Sequence, residues 1–156
     1  MKRLKNTHPL RSQSSPNLYK PGRIFVGRLN HKDDLLAGLT SLVKKHKIFS
    51  GYISAIGAVE NANLGYYDQK KKAYTGCVAL KQKLEICSMN GNISIRDGEA
   101  FVHAHIVLAD RKGRAYGGHL MPGAIVFAAE YFIFELLGKK LHRVKDPSTG
   151  LPLWSV

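Results

Sequence analysis

The spacing of apolar and polar positions changes period once along this chain. From Arg23 a short run, IFVGRL, reads as a strand. In the stretch NHKDDLLAGLTSLVKKHKIFSG that follows, Leu35, Leu36, Leu39, Leu42 and Val43 share one face at helical spacing, which predicts an amphipathic helix. Asn30 or His31 is placed to cap it. Asp33 and Asp34 fall in the first turn, and Lys44, Lys45, His46 and Lys47 at the far end, as the helix dipole favours. After Gly51 the period shortens. YISAIGAV, ANLGYY, AYTGCVAL, KLEICSMNGNISI, AFVHAHIVLA and RAYGGHL predict short strands, with DQKKK, RDGE and DRKG as turns. AIVFAAEYFIFEL fits a strand or a helix by periodicity, and its β-branched and aromatic content favours a strand. The closing HRVKDPSTGLPLWSV is turn-rich, with Trp154 expected to pin the end of the chain to the body or to a neighbouring subunit. One helix among many strands implies an α+β fold, a mostly antiparallel sheet with the helix packed against it.

Composition narrows this picture. The 156 residues, 44% of them hydrophobic, suit one domain with a sizeable core. The longest apolar run, AIVFAA, stops at Glu130, far short of a membrane span, and no apolar segment of signal-peptide type follows the basic start. Residues 1–22 are polar, basic, free of acid and broken by Pro9, Pro16 and Pro21. They are expected to form a disordered tail, with the domain over residues 23–156. Such a tail can serve as a nucleic-acid arm, a transit peptide or a plain leader. Cys77 and Cys87 form no CxxC and no disulfide framework. They are expected to be reduced thiols on core strands, and with them a cytoplasmic location is expected. The net charge is +13, from 24 Lys+Arg against 11 Asp+Glu, and the first acidic residue is Asp33. Such a surface attracts polyanions, nucleic acid among them. The run Lys70, Lys71, Lys72 is expected at a solvated loop tip.

The chemistry concentrates in FVHAHIVLADRKGRAYGGHL. Side chains at i and i+2 of a strand share a face, so His103 and His105 project together while Val102, Ala104 and Ile106 face the other way. DRKG turns the chain and RAYGGHL returns, bringing His119 alongside, with Gly117 and Gly118 leaving space near it. Three imidazoles on paired strands can bind zinc and leave one position open. The same residues also make an ordinary hydrogen-bonded histidine cluster on a half-buried face, or, less well, a proton relay. Neither Ser88 nor Ser94 has an activating context, and no nucleophile elbow or P-loop is present. Glu130, set in an apolar run where a lone carboxylate is costly, is a candidate fourth ligand, outer partner of a histidine, or base for a bound water. It also reads as a structural carboxylate paired with Arg28 or Arg96.

Taken together, SGYISAIGAVENANLGYYD, LEICSMNGNISIRDGEAFVHAHIVLADRKGRAYGGHLMPGAIVFAAE and KDPSTGL resemble the plant and prokaryote conserved (PPC, or PCC) domain, over about Arg23 to Leu151. The resemblance is to the stand-alone prokaryotic type. It implies a helix on an antiparallel sheet, a homotrimer, and a zinc site at His103, His105 and His119, with Glu130 matching an acidic position that follows the GGHLMPG-type segment. Plant members grip AT-rich DNA through an Arg-Gly-Arg-Pro hook. That motif is missing here, and KGR at residues 112–114 lacks the proline and lies in a predicted hairpin. The basic charge therefore supports non-specific phosphate contact and no base readout. The expected function is a metal-binding homotrimer with a DNA-associated or regulatory role. The alternative is a zinc-dependent enzyme acting on a small molecule, with Glu130 as its base.

Overall fold

The structure is a computed structural model and describes residues 16–155. Along the chain run β1 (Lys20–Leu29), α1 (Leu35–Lys45), β2 (Gly51–Asp68), β3 (Ala73–Leu80), β4 (Leu84–Arg96), β5 (Glu99–Ala109), β6 (Ala115–Leu120), β7 (Ile125–Leu137), β8 (Arg143–Lys145) and β9 (Pro152–Trp154). The first seven strands form one sheet in the order β1-β7-β2-β4-β5-β6, with β3 on β2 and every pairing antiparallel. β6 returns to β2 at Leu64↔Leu120 and Gly65↔His119, closing a ring of β2, β4, β5 and β6. This is the α+β fold with one helix that the sequence predicts.

Two predicted strands, YISAIGAV and ANLGYY, are one long strand, β2. What joins them is a bulge. The register of β2 shifts against β4 between Ala55 and Gly57 and against β7 between Ala58 and Val59. Gly57 sits there at φ +138°, and a Cβ on it would lie 2.2 Å from the Ala128 carbonyl oxygen. A bulge bends and twists a strand without ending it. The first half of β2 therefore lies between β4 and β7, and the second half meets β3 and β6.

The helix buries Leu35, Leu39 and Val43 completely, with Leu36 and Leu42 half-buried beside them. Its cap is Asp34 rather than Asn30 or His31. Asp34 Oδ1 accepts from Ala37 N at 2.8 Å and Oδ2 from Gly123 N at 2.5 Å, so one carboxylate both starts the helix and ties it to the segment before β7. Asp33 accepts from Asn30 N. The helix lies against β5, and Val102, Ala104 and Ile106 enter the same core cluster as Leu35, Leu39 and Val43.

Other expectations need correcting. β1 begins at Lys20, so the last residues of the predicted tail belong to the sheet; residues 1–15 lie outside the described residues. Cys77 and Cys87 are free and on strands, as expected, but they are exposed rather than in the core. Arg96 pairs with neighbouring Asp97 at 3.4 Å, not with Glu130. The turn-rich C-terminal stretch contains the β8–β9 hairpin, whose turn is built on Asp146: Oδ1 accepts from Thr149 N at 2.7 Å.

Glu130 is exposed. The apolar run around it, β7, has two faces. Ala129 and Ile133 point into the core, while Phe132 and Phe134 are 45% and 37% exposed on the outer one. Glu130 shares that outer face, with Arg28 of β1 and Ile56 of β2 as its cross-strand neighbours. An apolar sequence here does not mean a buried carboxylate.

Candidate metal centre

β5 and β6 bring the three histidines together as strand geometry predicts. His105 and His119 are directly opposed in register, and His103 stands one pleat along on the same face as His105. Ring centroids are 4.9 Å apart for His103–His119, 5.2 Å for His103–His105 and 5.4 Å for His105–His119. One nitrogen of each ring lies within 4.8 Å of the others. His103 and His119 are half-buried and His105 is exposed. Gly118 serves the closure of the ring of strands, not the histidine: a Cβ there would meet the Gly65 carbonyl oxygen at 3.2 Å.

Arg143, from β8, completes the site, and sequence reasoning missed it. Its Nη2 donates to His103 Nδ1 at 3.2 Å and to Asn92 Oδ1 at 2.7 Å. Its Nε donates to the fully buried Ser94 Oγ at 2.8 Å, and Nη1 to the Pro152 carbonyl at 2.7 Å. Arginine only donates, so His103 Nδ1 must be the acceptor and the ring proton sits on Nε2. That N–H in turn reaches His119 Nδ1 at 3.2 Å. The sole hint in the sequence was a lone arginine in a turn-rich tail.

Burial holds His103 down at about 4, with the Arg143 charge and then His119 and His105 acting in the same direction. His119 is lowered as well, by burial first and then by His105 and Arg143. Both rings are neutral near pH 7, the form in which imidazole binds a metal.

The donor set fits zinc. Two ligands at about 2.05 Å on a tetrahedral ion stand about 3.3 Å apart, close to the 3.2 Å between His103 Nε2 and His119 Nδ1. Bringing in His105 takes a modest ring movement from the 4.8 Å spread. One feature opposes it. Ligation through His103 Nε2 requires the proton at Nδ1, where Arg143 already points an N–H. Glu130 is not brought to the cluster: the histidines stand on β5 and β6, whereas β7 pairs with β1 and β2.

The histidines open into a cavity of about 670 Å³ whose walls include Tyr74, Phe101, Arg96 and Arg143. Lys72 lines it too, donating to the Pro147 carbonyl at 3.2 Å, so this lysine is more than a solvated tip. Trp154 lies 41% exposed on β9, its ring 6.0 Å from the Arg143 guanidinium.

Fold and site define a small α+β protein with a histidine-lined cavity between its sheet and its C-terminal hairpin. Residues 17–137 match the model of the Plants and Prokaryotes Conserved (PCC) domain, and the chain belongs to that family. It is similar to a solved metal-containing protein of Archaeoglobus fulgidus, with 40% identity over 90% of this chain and 99% of that one, and a TM-score of 0.85. It is also similar to a plant- and prokaryote-conserved protein of Pyrococcus horikoshii, at 37% identity, 92% and 98% coverage, and TM-score 0.85. A candidate DNA-binding protein of Bacteroides thetaiotaomicron is 27% identical over 89% of this chain and 98% of its own, with a TM-score of 0.78. Among curated proteins, the bifunctional protein GlmU of a Synechococcus strain is 32% identical over 94% of this chain. The chain spans about a fifth of the length of that relative, 22%. No helix among the described residues is long and apolar enough to cross a membrane.

Proposed function

We propose that this chain is a metal-binding PCC-domain protein that acts as a homotrimer and holds zinc on His103, His105 and His119. The observation that carries this reading is the convergence of three imidazole nitrogens within 4.8 Å at the wall of a cavity. The description of the Archaeoglobus protein as metal-containing favours the same reading here. Three neutral nitrogen ligands leave one zinc position free, and a bound zinc would supply Lewis acidity there. The trimer is favoured by the outer face of β1, β7 and β2, where Ile24, Val26, Tyr52, Phe132 and Phe134 are exposed side by side. Contiguous apolar surface of this kind marks interaction sites. Two free thiols suit a reducing compartment such as the cytoplasm.

A DNA-associated role is the second reading, favoured by the net charge of +13 and by the description of the Bacteroides protein. The zinc-enzyme alternative has the cavity in its favour but lacks a placed base, since Glu130 lies elsewhere within the chain. Elemental analysis of the purified full chain tests the main reading. About one zinc per chain is expected, lost in His105→Ala and His119→Ala. Protein from zinc-supplemented culture that carries no metal overturns it. Light scattering tests the trimer, with Phe132→Glu expected to yield monomer. Gel shift at low and physiological salt tests the DNA role, which is abandoned if nothing binds at low salt.

A further inference from the structure

We propose that the cavity beside the three histidines binds a small organic anion, a carboxylate or phosphate carried on a flat apolar body. This rests on reading that cavity as the functional site, but not on the metal.

The cavity's charge is unbalanced. Arg96, Arg143 and Lys72 line the cavity, and no aspartate or glutamate does among the described residues. Both guanidiniums sit against one ring: the Arg96 Cζ lies 5.2 Å and the Arg143 Cζ 5.5 Å from the centroid of Phe101. Arg143 is half-buried, and every partner it has among the described residues is neutral: Ser94 Oγ, Asn92 Oδ1, the Pro152 carbonyl and His103 Nδ1. Those bonds use four of its five N–H groups and leave its charge uncompensated. A cation withdrawn from water without a counter-charge is costly. Among the described residues Arg96 has only Asp97, itself 89% exposed, as an ionic partner. A bound zinc on three neutral imidazoles would add two further positive charges without a carboxylate.

The missing charge is negative, and the cavity is sized for a molecule that carries it. At about 670 Å³ it falls within the range of small-ligand pockets, roughly 300–1,000 Å³. Phe101 and Tyr74 supply flat walls, with the Tyr74 ring 5.0 Å from His119. One Nη1–H of Arg143 remains for a ligand oxygen, beside the Arg96 fork. An anionic head between the two arginines with a planar body against the aromatic walls uses every one of these groups.

Titration calorimetry on the full chain tests this with phenyl phosphate, benzoate and uncharged benzyl alcohol, each on chelator-treated and on zinc-loaded protein. Amide shift mapping by NMR locates the binding. At least one of the two anions is expected to bind the metal-free protein about tenfold or more tightly than benzyl alcohol, shifting residues around Phe101 and Tyr74. Whichever of the pair binds better identifies the head group. Arg96→Ala, at an exposed position that folding tolerates, and Arg143→Lys should each weaken the anion about tenfold. Equal binding of charged and uncharged probes overturns the proposal, as does absence of anion binding at about 10 mM in both protein states. Binding that needs zinc and ignores both arginine replacements also overturns it, while leaving the metal reading intact. Anion binding by a protein that takes up no zinc upholds it and removes the metal reading instead.

Discussion

Replacing Arg143 with methionine should tighten zinc binding. In most metal sites the opposite holds, because the outer partner of a ligating histidine accepts its second N–H, and losing that partner weakens the metal by about 10- to 100-fold. Here the outer partner is a donor. Arg143 Nη2 fixes the His103 proton on Nε2, the nitrogen that faces His119, and the metal can take that nitrogen only after this hydrogen bond is broken. A hydrogen bond from a charged donor contributes about 1.5–3 kcal/mol. At 3.2 Å the bond is long, so about 1.5 kcal/mol applies, which is about tenfold in a dissociation constant. Repulsion between the guanidinium and the metal ion acts in the same direction and is partly screened by solvent at the cavity mouth, so tenfold is the lower bound. The assay is competition against a chromophoric zinc chelator near neutral pH, where His103, held at about 4, brings no competing proton. Methionine keeps the side chain's length but leaves buried Ser94 Oγ and Asn92 Oδ1 without their donor, at a cost of about 1–3 kcal/mol each. The fold must therefore be verified by circular dichroism first. Zinc bound equally or more weakly by a folded R143M protein would refute the reasoning, since Arg143 would then be supporting His103 as a ligand.

Three further outcomes follow from the framework. Asp34→Ala removes both the helix cap and the bond to Gly123 N, and should lower stability by about 2–4 kcal/mol in urea denaturation at fixed protein concentration; Asp34→Asn, which can still accept one of the two bonds, should lose about half of that. Gly57→Ala places a Cβ 2.2 Å from the Ala128 oxygen at a φ of +138°, and should depress the melting temperature more than an alanine at exposed Gly117, where a Cβ comes no nearer than 3.5 Å to its neighbours. Burial works against ionisation of Asp110, yet bonds from Arg114, the Lys112 and Arg114 amides and Tyr116 bring it down to about 2. Its folded value lies below its ordinary 3.8, so its contribution is complete above about pH 4 and disappears as pH falls through about 2. The melting temperature of Asp110→Asn measured across that window should fall less steeply than that of the wild type.

The helix and the histidine cluster were legible because each depends on local periodicity. Leu35, Leu39 and Val43 mark a helix face whatever surrounds them, and HAH on any strand aims two imidazoles the same way. What escaped the sequence depends on partners far along the chain. The cap fell to Asp34 because its second oxygen finds Gly123, 89 residues away. β2 continues through Gly57 because β7 approaches so closely there that only glycine fits. Arg143 gains its importance from Asn92, Ser94 and His103, 40 to 51 residues distant, and no spacing rule brings these together. Glu130 was misjudged for a different reason. A run apolar on both faces reads as core, yet in β7 one face is core and the other lies open with Phe132 and Phe134.

The basic excess takes on a different meaning once its members have places. A net charge of +13 suggests a polyanion when it is only a number. Phosphate backbones are held by exposed cations, and such binding falls steeply with salt because it rests on counterion release. Lys2, Arg3, Lys5 and Arg11, outside the described residues, are of a kind that can take part in that. Arg143 is not. It is half-buried, tied by four hydrogen bonds, and shares the ring of Phe101 with Arg96 inside a cavity that a duplex cannot enter. Its charge is available only to a molecule small enough to fit there, and an ion pair formed in partly desolvated surroundings is screened by salt far less than one on the surface. Salt dependence would therefore separate the two proposed roles within one molecule: a steep slope for binding by exterior lysines and arginines, a shallow one for binding in the cavity.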